Sequence, residues 1–268
     1  MIDAFRQWAF DRRDHAHSQR VYDWWSRHDR VYAAFVTAFL FGRTGEFRDR
    51  TVDALSLDHG DTVLDVGCGP GPNFGRLADA VGPTGTIVGV DASPGMVKRA
   101  RDRGEQLNCE VEVLRADARR LPLSNGRFDG VCATLSLSAM SDVEAVVSEM
   151  SDVLRPGGRT AVLDARSFQT APLRCLNPLI EGVSAYSTNW YPEAPIVRSV
   201  EETFASVSSE TFHGGTVYVV TGTKLHDISI EWGLQGHRII TCRLLGGLHR
   251  LFGPRGNHID ISLRLHSS

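Results

Sequence analysis

Hydrophobic and polar positions follow two different rhythms along the chain. Up to about residue 55 the apolar and aromatic residues recur at helical spacing, through Val21, Trp24, Trp25, Tyr32, Phe35, Phe39 and Leu40. Gly42 and Gly45 then punctuate, and Phe47 to Leu55 reads as another short helix. From Asp61 onward, short apolar runs alternate with amphipathic stretches. The runs are Thr62 to Val66, Thr86 to Asp91, Val111 to Leu114, Phe128 to Ala133 and Thr160 to Asp164. The stretches between them predict helices from about Pro72 to Val81, after Ser93 and Pro94, and from Asp142 to Leu154. Ser93 is the expected N-cap of its helix, with Pro94 in the first helical position. Strand–helix alternation at this spacing predicts right-handed βαβ units and a parallel sheet.

After Asp164 the rhythm breaks. Residues 166–196 hold four prolines, together with Tyr186, Trp190 and Tyr191. A helix near Val197 to Val207 resumes the pattern, and two last strands follow, near Ser208 to Phe212 and Thr216 to Thr221. His213-Gly214-Gly215 between them reads as a hairpin turn, so the last strand is expected to run antiparallel.

Composition changes this picture little. The 268 residues carry a net charge of −3, which favours neither a nucleic-acid-binding chain nor a disordered one. Five scattered cysteines form no C-x-x-C pair, which argues against a zinc site or a disulfide framework. No metal is expected. The longest apolar stretch, Val31 to Phe41, is too short to span a bilayer, and the N-terminus lacks a signal-peptide layout. The expectation is a soluble, cytoplasmic protein.

The chemistry concentrates at Val63-Leu64-Asp65-Val66-Gly67-Cys68-Gly69-Pro70-Gly71. A strand ends there in a glycine-rich turn that opens a helix. Such a turn lets a ligand approach the backbone, and the helix N-terminus offers N–H groups to an anion. An open α/β sheet binds its ligands at the carboxyl ends of its strands. A dinucleotide fingerprint needs G-x-G-x-x-G, but here the third glycine, Gly71, comes one place early and Pro72 follows. Asp91, ending the second strand, suits a ribose under either reading, because one carboxylate accepts two hydroxyls.

The chain resembles the class I S-adenosylmethionine-dependent methyltransferases, nearest to the ubiquinone/menaquinone-biosynthesis type. VLDVGCGPG is similar to their first motif, VGVDASPGMV to the second-strand motif, LRADARRLPLSNGRFDGVCATLSL to the segment across the third and fourth strands, and LRPGGRTAVLD to the turn into the fifth. The resemblance covers roughly residues 20–222. It implies an α/β, Rossmann-like three-layer sandwich with a seven-stranded, mostly parallel sheet, the last strand antiparallel, and an N-terminal helical cap. It also implies a methyltransferase that binds S-adenosyl-L-methionine and transfers methyl by in-line displacement to a small-molecule or lipid-like acceptor.

Residue by residue, the resemblance assigns Gly67, Cys68, Gly69 and Gly71 to the turn under the methionine moiety, with Asp65 behind it and Asn73 at the helix start. Asp91 and Ala92 fall at the ribose, Met96 on the adenine, and Asp117 and Ala118 at the adenine edge. Thr134 falls near the methyl group, and Tyr32 belongs to the lid. Cys68 reads as small packing in the turn, Asp117 alternatively as a helix cap, and Met96 alternatively as core.

The catalytic residues stay open. Related proteins often carry histidines after the fourth strand, where this chain reads Leu135-Ser136-Leu137-Ser138-Ala139-Met140. No amino-methylating Asn/Asp-Pro-Pro-Tyr-like tetrapeptide follows that strand, so nucleic acid is not an expected substrate. Cys109, Cys132 and Cys175 do not match an arsenic-binding thiol set, and His28 is a weak base candidate. The acceptor pocket is expected between the N-terminal helices and the 166–196 insert. Both are aromatic, with Tyr22, Trp24, Trp25 and Tyr32 on one side and Phe168, Tyr186, Trp190 and Tyr191 on the other, which suits an apolar or ring-bearing acceptor or, for most of these residues, simply the core of the cap. The competing class is a non-catalytic cofactor-binding subunit. A nucleotide-sugar or NAD oxidoreductase is disfavoured by the early Gly71 and the lack of a Tyr-x-x-x-Lys.

The expected organisation is a helical cap over residues 1–55, a cofactor-binding domain over 56–223, and an appendage over 224–268. Within the appendage, Arg238 to Phe252 reads as a basic amphipathic helix. Such a segment suits packing on its own domain first, and an anionic membrane surface or a partner subunit second. Nothing in the sequence sets the oligomeric state.

Overall fold

The computed structural model describes residues 15–225, apart from the side chains of residues 15–20, 29 and 185–187. The amphipathic segment expected at Arg238 to Phe252 lies outside the described residues. The chain divides into two compact units, residues 1–227 and 228–268.

Seven strands form one sheet in the order β3-β2-β1-β4-β5-β7-β6. They are β1 (Thr62–Val66), β2 (Thr86–Asp91), β3 (Glu110–Arg115), β4 (Phe128–Thr134), β5 (Leu154–Ala165), β6 (Ala205–Phe212) and β7 (Val217–Thr223). The five strands from β3 to β5 pair in parallel, and β7 lies antiparallel between β5 and β6. The glycine turn does make the hairpin, with Phe212 opposite Val217. Gly214 and Gly215 both have positive φ there, at 66° and 89°.

Helices follow the same grammar. The described elements are α1 (His15–Arg27), α2 (Asp29–Phe39), α3 (Thr44–Asp53), α4 (Phe74–Val81), α5 (Pro94–Gly104), α6 (Val143–Val153), α7 (Asn177–Thr188) and α8 (Ile196–Thr203). Ser93 caps α5 by accepting the Met96 N–H, with Pro94 next, and Asp142 caps α6 by accepting the Ala145 N–H. Asn73 precedes α4 but does not cap it, because its side chain is engaged elsewhere. β5 is longer than the run from Thr160 to Asp164 suggested. Leu154 already pairs with Phe128, and a bulge then absorbs Pro156 and Gly157 before regular pairing resumes at Arg159.

Alternation along the buried strands feeds a core on each face. Val63 and Ile87 point to the side covered by α4 and α5, where Phe74, Leu77, Val81, Val97 and Ala100 are buried. Leu64, Val66, Val88 and Val90 point to the side covered by α6 and α8, with Val146, Val147, Met150 and Val200. Strands buried on both faces read as continuous apolar runs, which is why the sequence showed them so plainly. A third cluster joins the end of α2, α3 and the insert to the far strands, through Leu40, Phe47, Trp190, Val217 and Val219.

Lys224 closes the unit. Its backbone N–H and carbonyl bond to Gly158 and Gly157, and its ammonium donates to the carbonyls of Ser151, Asp152 and Leu154 at the C-terminal end of α6. A cation there satisfies carbonyls that the ended helix leaves open.

Candidate cofactor and acceptor site

The glycine-rich turn sits at the carboxyl end of β1, with the end of β2 beside it. Gly67, Gly69 and Gly71 all have positive φ, at 65°, 53° and 74°. Their surroundings differ. A Cβ on Gly67 would lie 2.6 Å from the Cβ of Ser136, and one on Gly71 would lie 2.8 Å from the Phe74 ring. A Cβ on Gly69 would meet nothing within 4 Å. Gly67 is thus glycine for packing, while Gly69 presents bare backbone to open space. Gly67→Ala should therefore destabilise the fold by roughly 2–4 kcal/mol, the sum of left-handed strain and overpacking. Gly69→Ala should cost only the strain, about 1–2 kcal/mol. Urea denaturation of both variants checks this, and equal losses would show that the two glycines are equivalent.

Asp91 ties the turn to the second strand. Its carboxylate accepts the Gly69 N–H at 2.9 Å and the Ser93 N–H at 2.8 Å. Burial pushes its pKa up, while the backbone donors of Ser93, Gly69 and Ala92 pull it down. A carboxylate has about four acceptor positions, so capacity remains for a ribose hydroxyl. Met96 is buried in the first turn of α5, and the Ala92 carbonyl accepts from Arg115. The Ala116 N–H donates to the Asp91 carbonyl, which brings the end of β3 to the same edge. Ala118 is buried there, while Asp117 is exposed and paired with Arg119. No helix begins at Asp117.

Behind the turn lies a buried polar cluster. Asp65 is fully buried, and the Asn73 amide donates to it and to the Thr134 hydroxyl, each at 2.9 Å. Arg48, from α3, donates to Asn73 Oδ1 at 2.6 Å and to the Thr134 hydroxyl at 2.7 Å. Burial raises the Asp65 pKa to about 6, against the Asn73 amide and the Arg48 charge, which lower it. Burial lowers the Arg48 pKa, against Asp65, which raises it. Sequence reasoning paired Asp65, Asn73 and Thr134 with one site but missed Arg48. The available signal was its position: on α3 the buried face is Phe47, Arg48, Thr51 and Val52, so a charge occupies a core-facing place one turn before Val52.

Cys68 is buried, and burial pushes its thiol well above the usual range. It packs as a buried thiol in the turn.

The second half of the site is a cleft between α1, α2, the end of β5 and the insert. Tyr22, Tyr32, Phe35, Phe39, Leu135 and Trp190 form its apolar walls, and Ser138, Asp164, Ser184 and Thr188 supply polar atoms. The Tyr22 hydroxyl donates to the Thr188 carbonyl at 2.9 Å, which links α1 to α7 across the cleft. Phe39 and Trp190 meet edge to face at 5.5 Å. Trp25 packs behind, against Tyr32 and Phe35. Trp24 is exposed and stacks on His28, whose Nδ1 lies 2.9 Å from the Trp24 carbonyl. Neither Trp24 nor His28 lines the cleft. Phe168 lines a separate, polar cleft with Arg166 and Arg174, and the Tyr186 side chain lies outside the described residues.

α1 is latched beside the turn. Asp23 accepts the Ser93 hydroxyl at 2.8 Å, Arg99 donates to the Ser26 carbonyl, and a Cβ on Gly95 would fall on the Ser26 side chain. Among the described residues, no group of three His, Cys, Asp or Glu is placed to hold a metal, and no helix is long and apolar enough to cross a membrane.

Comparison with known proteins gives concordant matches. The family described as "Methyltransferase domain" matches residues 63–158. An uncharacterised 37.1 kDa protein in a transposon of Streptomyces fradiae is 42% identical over 42% of this chain and 32% of its own length. A demethylmenaquinone methyltransferase of Bacillus licheniformis is 32% identical over 54% of this chain and 62% of its own. The chain thus spans a third to three-fifths of these relatives. A solved S-adenosylmethionine-dependent methyltransferase from Aquifex aeolicus superposes with a TM-score of 0.52 at 22% identity, over 66% of this chain and 89% of that one.

Proposed function

We propose that this chain is a class I S-adenosylmethionine-dependent methyltransferase of the ubiquinone/menaquinone type and that it methylates a small aromatic or apolar acceptor of quinol-like chemistry. The observation that carries the reading is one edge holding both halves of such a site. The bare Gly69 backbone, tied to Asp91, adjoins the polar cluster of Asp65, Asn73, Thr134 and Arg48, and an aromatic cleft faces the same strand ends. The quinol-like class is supported by the demethylmenaquinone methyltransferase among the relatives.

The residues present fit S-adenosylmethionine. Open space above Gly69 leaves room for a ligand against the turn, and Asp91 keeps acceptor capacity for a ribose hydroxyl. Asp65 and Asn73 would hold the α-ammonium side of the amino acid, and Arg48 would hold its carboxylate as a buried cation. Ala92 and Met96 would border the ribose and adenine, with Asp117 and Ala118 at the adenine edge once Asp117 leaves Arg119. Bound, the cofactor supplies an electrophilic methyl group on a sulfonium. The chain's own contribution is to place the acceptor against that methyl and to exclude water, which Tyr22, Tyr32, Phe39 and Trp190 do by walling the cleft.

Titration calorimetry with S-adenosylmethionine and S-adenosylhomocysteine tests the reading. The full chain should bind both and not NAD. Asp91→Ala should weaken binding by about tenfold or more, since charge-assisted contacts are lost. Gly69→Ala should weaken binding while remaining folded. A chain that binds neither compound would overturn the assignment. Release of S-adenosylhomocysteine across quinols, phenols, amines and phospholipids then identifies the acceptor class.

A cap over 1–55, a cofactor domain over 56–223 and an appendage beyond it form the proposed organisation, with two refinements: Lys224 and the residues to 227 go with the cofactor domain's unit, and α3 goes with its floor. α3 packs on β4, β5 and β7 and delivers Arg48 to the cofactor side, so it acts as part of the cofactor domain's floor.

A further inference from the structure

Two buried polar side chains face the acceptor cleft and take no part in the cofactor reading. Asp164 is the penultimate residue of β5 and is 1% exposed. Its carboxylate accepts the Ser138 N–H at 3.0 Å, the Ser138 hydroxyl at 2.6 Å and the Ala165 N–H at 2.8 Å. Ser138 is 3% exposed, in a single 3₁₀ turn from Leu137 to Ala139 just after β4. Both residues line the cleft beside Tyr22, Tyr32 and Trp190.

That turn is fixed from the other side as well. The Tyr191 N–H donates to the Ser138 carbonyl at 2.6 Å, and the Asn189 amide donates to the Ala139 carbonyl at 2.8 Å. Ser138 therefore holds its hydroxyl proton toward Asp164. A hydroxyl that donates to one partner keeps lone pairs to accept from another. A group in the cleft with an O–H has a ready acceptor in Ser138 Oγ, backed by a carboxylate.

We propose that Ser138 and Asp164 are the acid–base pair of the acceptor site and take the proton of a phenolic or enolic hydroxyl on the acceptor. This deepens the methyl-transfer reading and rests on it. The acceptor O–H bond breaks as its proton passes to Ser138 Oγ. Ser138's own proton moves to Asp164 Oδ1, and the electron pair stays on the acceptor oxygen, shared with the ring. Asp164 is left neutral and returns its proton to water when the product leaves.

Charge and burial suit the role. The titratable groups facing Asp164 are Tyr22 from α1, Tyr32 from α2 and Tyr218 from β7, and burial pushes all three hydroxyls up, so they stay neutral at ordinary pH. Burial raises Asp164 itself to about 6, opposed by the donors from Ser138 and Ala165. It is ionised just above that pH and close enough to it to hold a proton in passing.

The test uses the full chain saturated with S-adenosylhomocysteine and 1-naphthol as the probe. A phenolic hydroxyl titrates near ~10, so the probe stays neutral through the range of interest. Calorimetric affinity should rise about tenfold as pH climbs through about 6, as expected for a hydrogen bond to a newly ionised group. In Asp164→Asn the profile should be flat, and Ser138→Ala should lose most of the rise although Asp164 remains. With any phenol the enzyme methylates, Asp164→Asn should lower kcat about 100-fold or more and remove the pH limb near 6. Binding of S-adenosylhomocysteine should be unchanged in both variants, which separates this inference from the methyl-transfer reading. A flat wild-type profile, an unaltered Asp164→Asn profile, or no naphthol binding by a chain that binds S-adenosylhomocysteine would each overturn the pair.

Discussion

Arg48→Met should lower the stability of this protein by about 3 kcal/mol and its affinity for S-adenosylhomocysteine by about tenfold or more. Methionine keeps much of the side-chain volume and removes the charge. Asn73 Oδ1 then loses its donor, Thr134 loses one partner, and the buried Asp65 carboxylate loses the guanidinium that favours its ionised form. Removing one member of a buried charge set typically costs about 3–5 kcal/mol, because the remaining charge is left uncompensated. Here the figure sits at the lower end, since Asn73 still donates to Asp65. The control is Arg43, five residues earlier, whose pair with Glu46 is exposed on the surface. Urea denaturation and calorimetry on Arg48→Met and Arg43→Met measure both effects. If the two variants behave alike, Arg48 is not the keystone of the cluster.

Arg48 also marks where the sequence stopped being legible. The strands at Val63 and Ile87 announce themselves, because burial on both faces demands unbroken apolar runs. Ser93 and Pro94 announce a helix start because capping is local chemistry. Gly67, Gly69 and Gly71 announce the turn because positive φ selects glycine. All these signals act over a few residues. Arg48 meets Asn73 and Thr134 across 25 and 86 positions, and Ser138 meets Asp164 across 26, so no window of sequence contains either arrangement. The aromatic cleft was half visible. The aromatic content of the N-terminal helices named Tyr22 and Tyr32, but only the packed structure separates them from Trp24, which faces solvent. Asn73 shows the same division in one residue. The motif names it for the site, yet only the structure shows its amide bonding Asp65 and Thr134.

Burial of Asp65 and Asp164 should leave a measurable mark on how stability depends on pH. Each carboxylate is raised by burial to about 6 in the folded chain, against roughly 3.9 for an unfolded aspartate. A raised folded pKa means that the native state binds the proton more tightly than the unfolded state does. The associated stability is present below about pH 4 and is lost as pH rises through about 6. Two pKa units correspond to about 3 kcal/mol for each group, on an order-of-magnitude basis. Asp164→Asn cannot ionise and escapes its share of that loss. Compared with wild type by urea denaturation in the absence of ligand, it should gain about 2 kcal/mol of relative stability between pH 4.5 and pH 7. The difference matters more than either absolute value, because surface carboxylates titrate alike in both proteins and cancel. A difference that stays constant across that range would mean Asp164 is not held against its charged form. The carboxylate would then be ordinary in its ionisation, and its place beside Ser138 would serve only to anchor the turn.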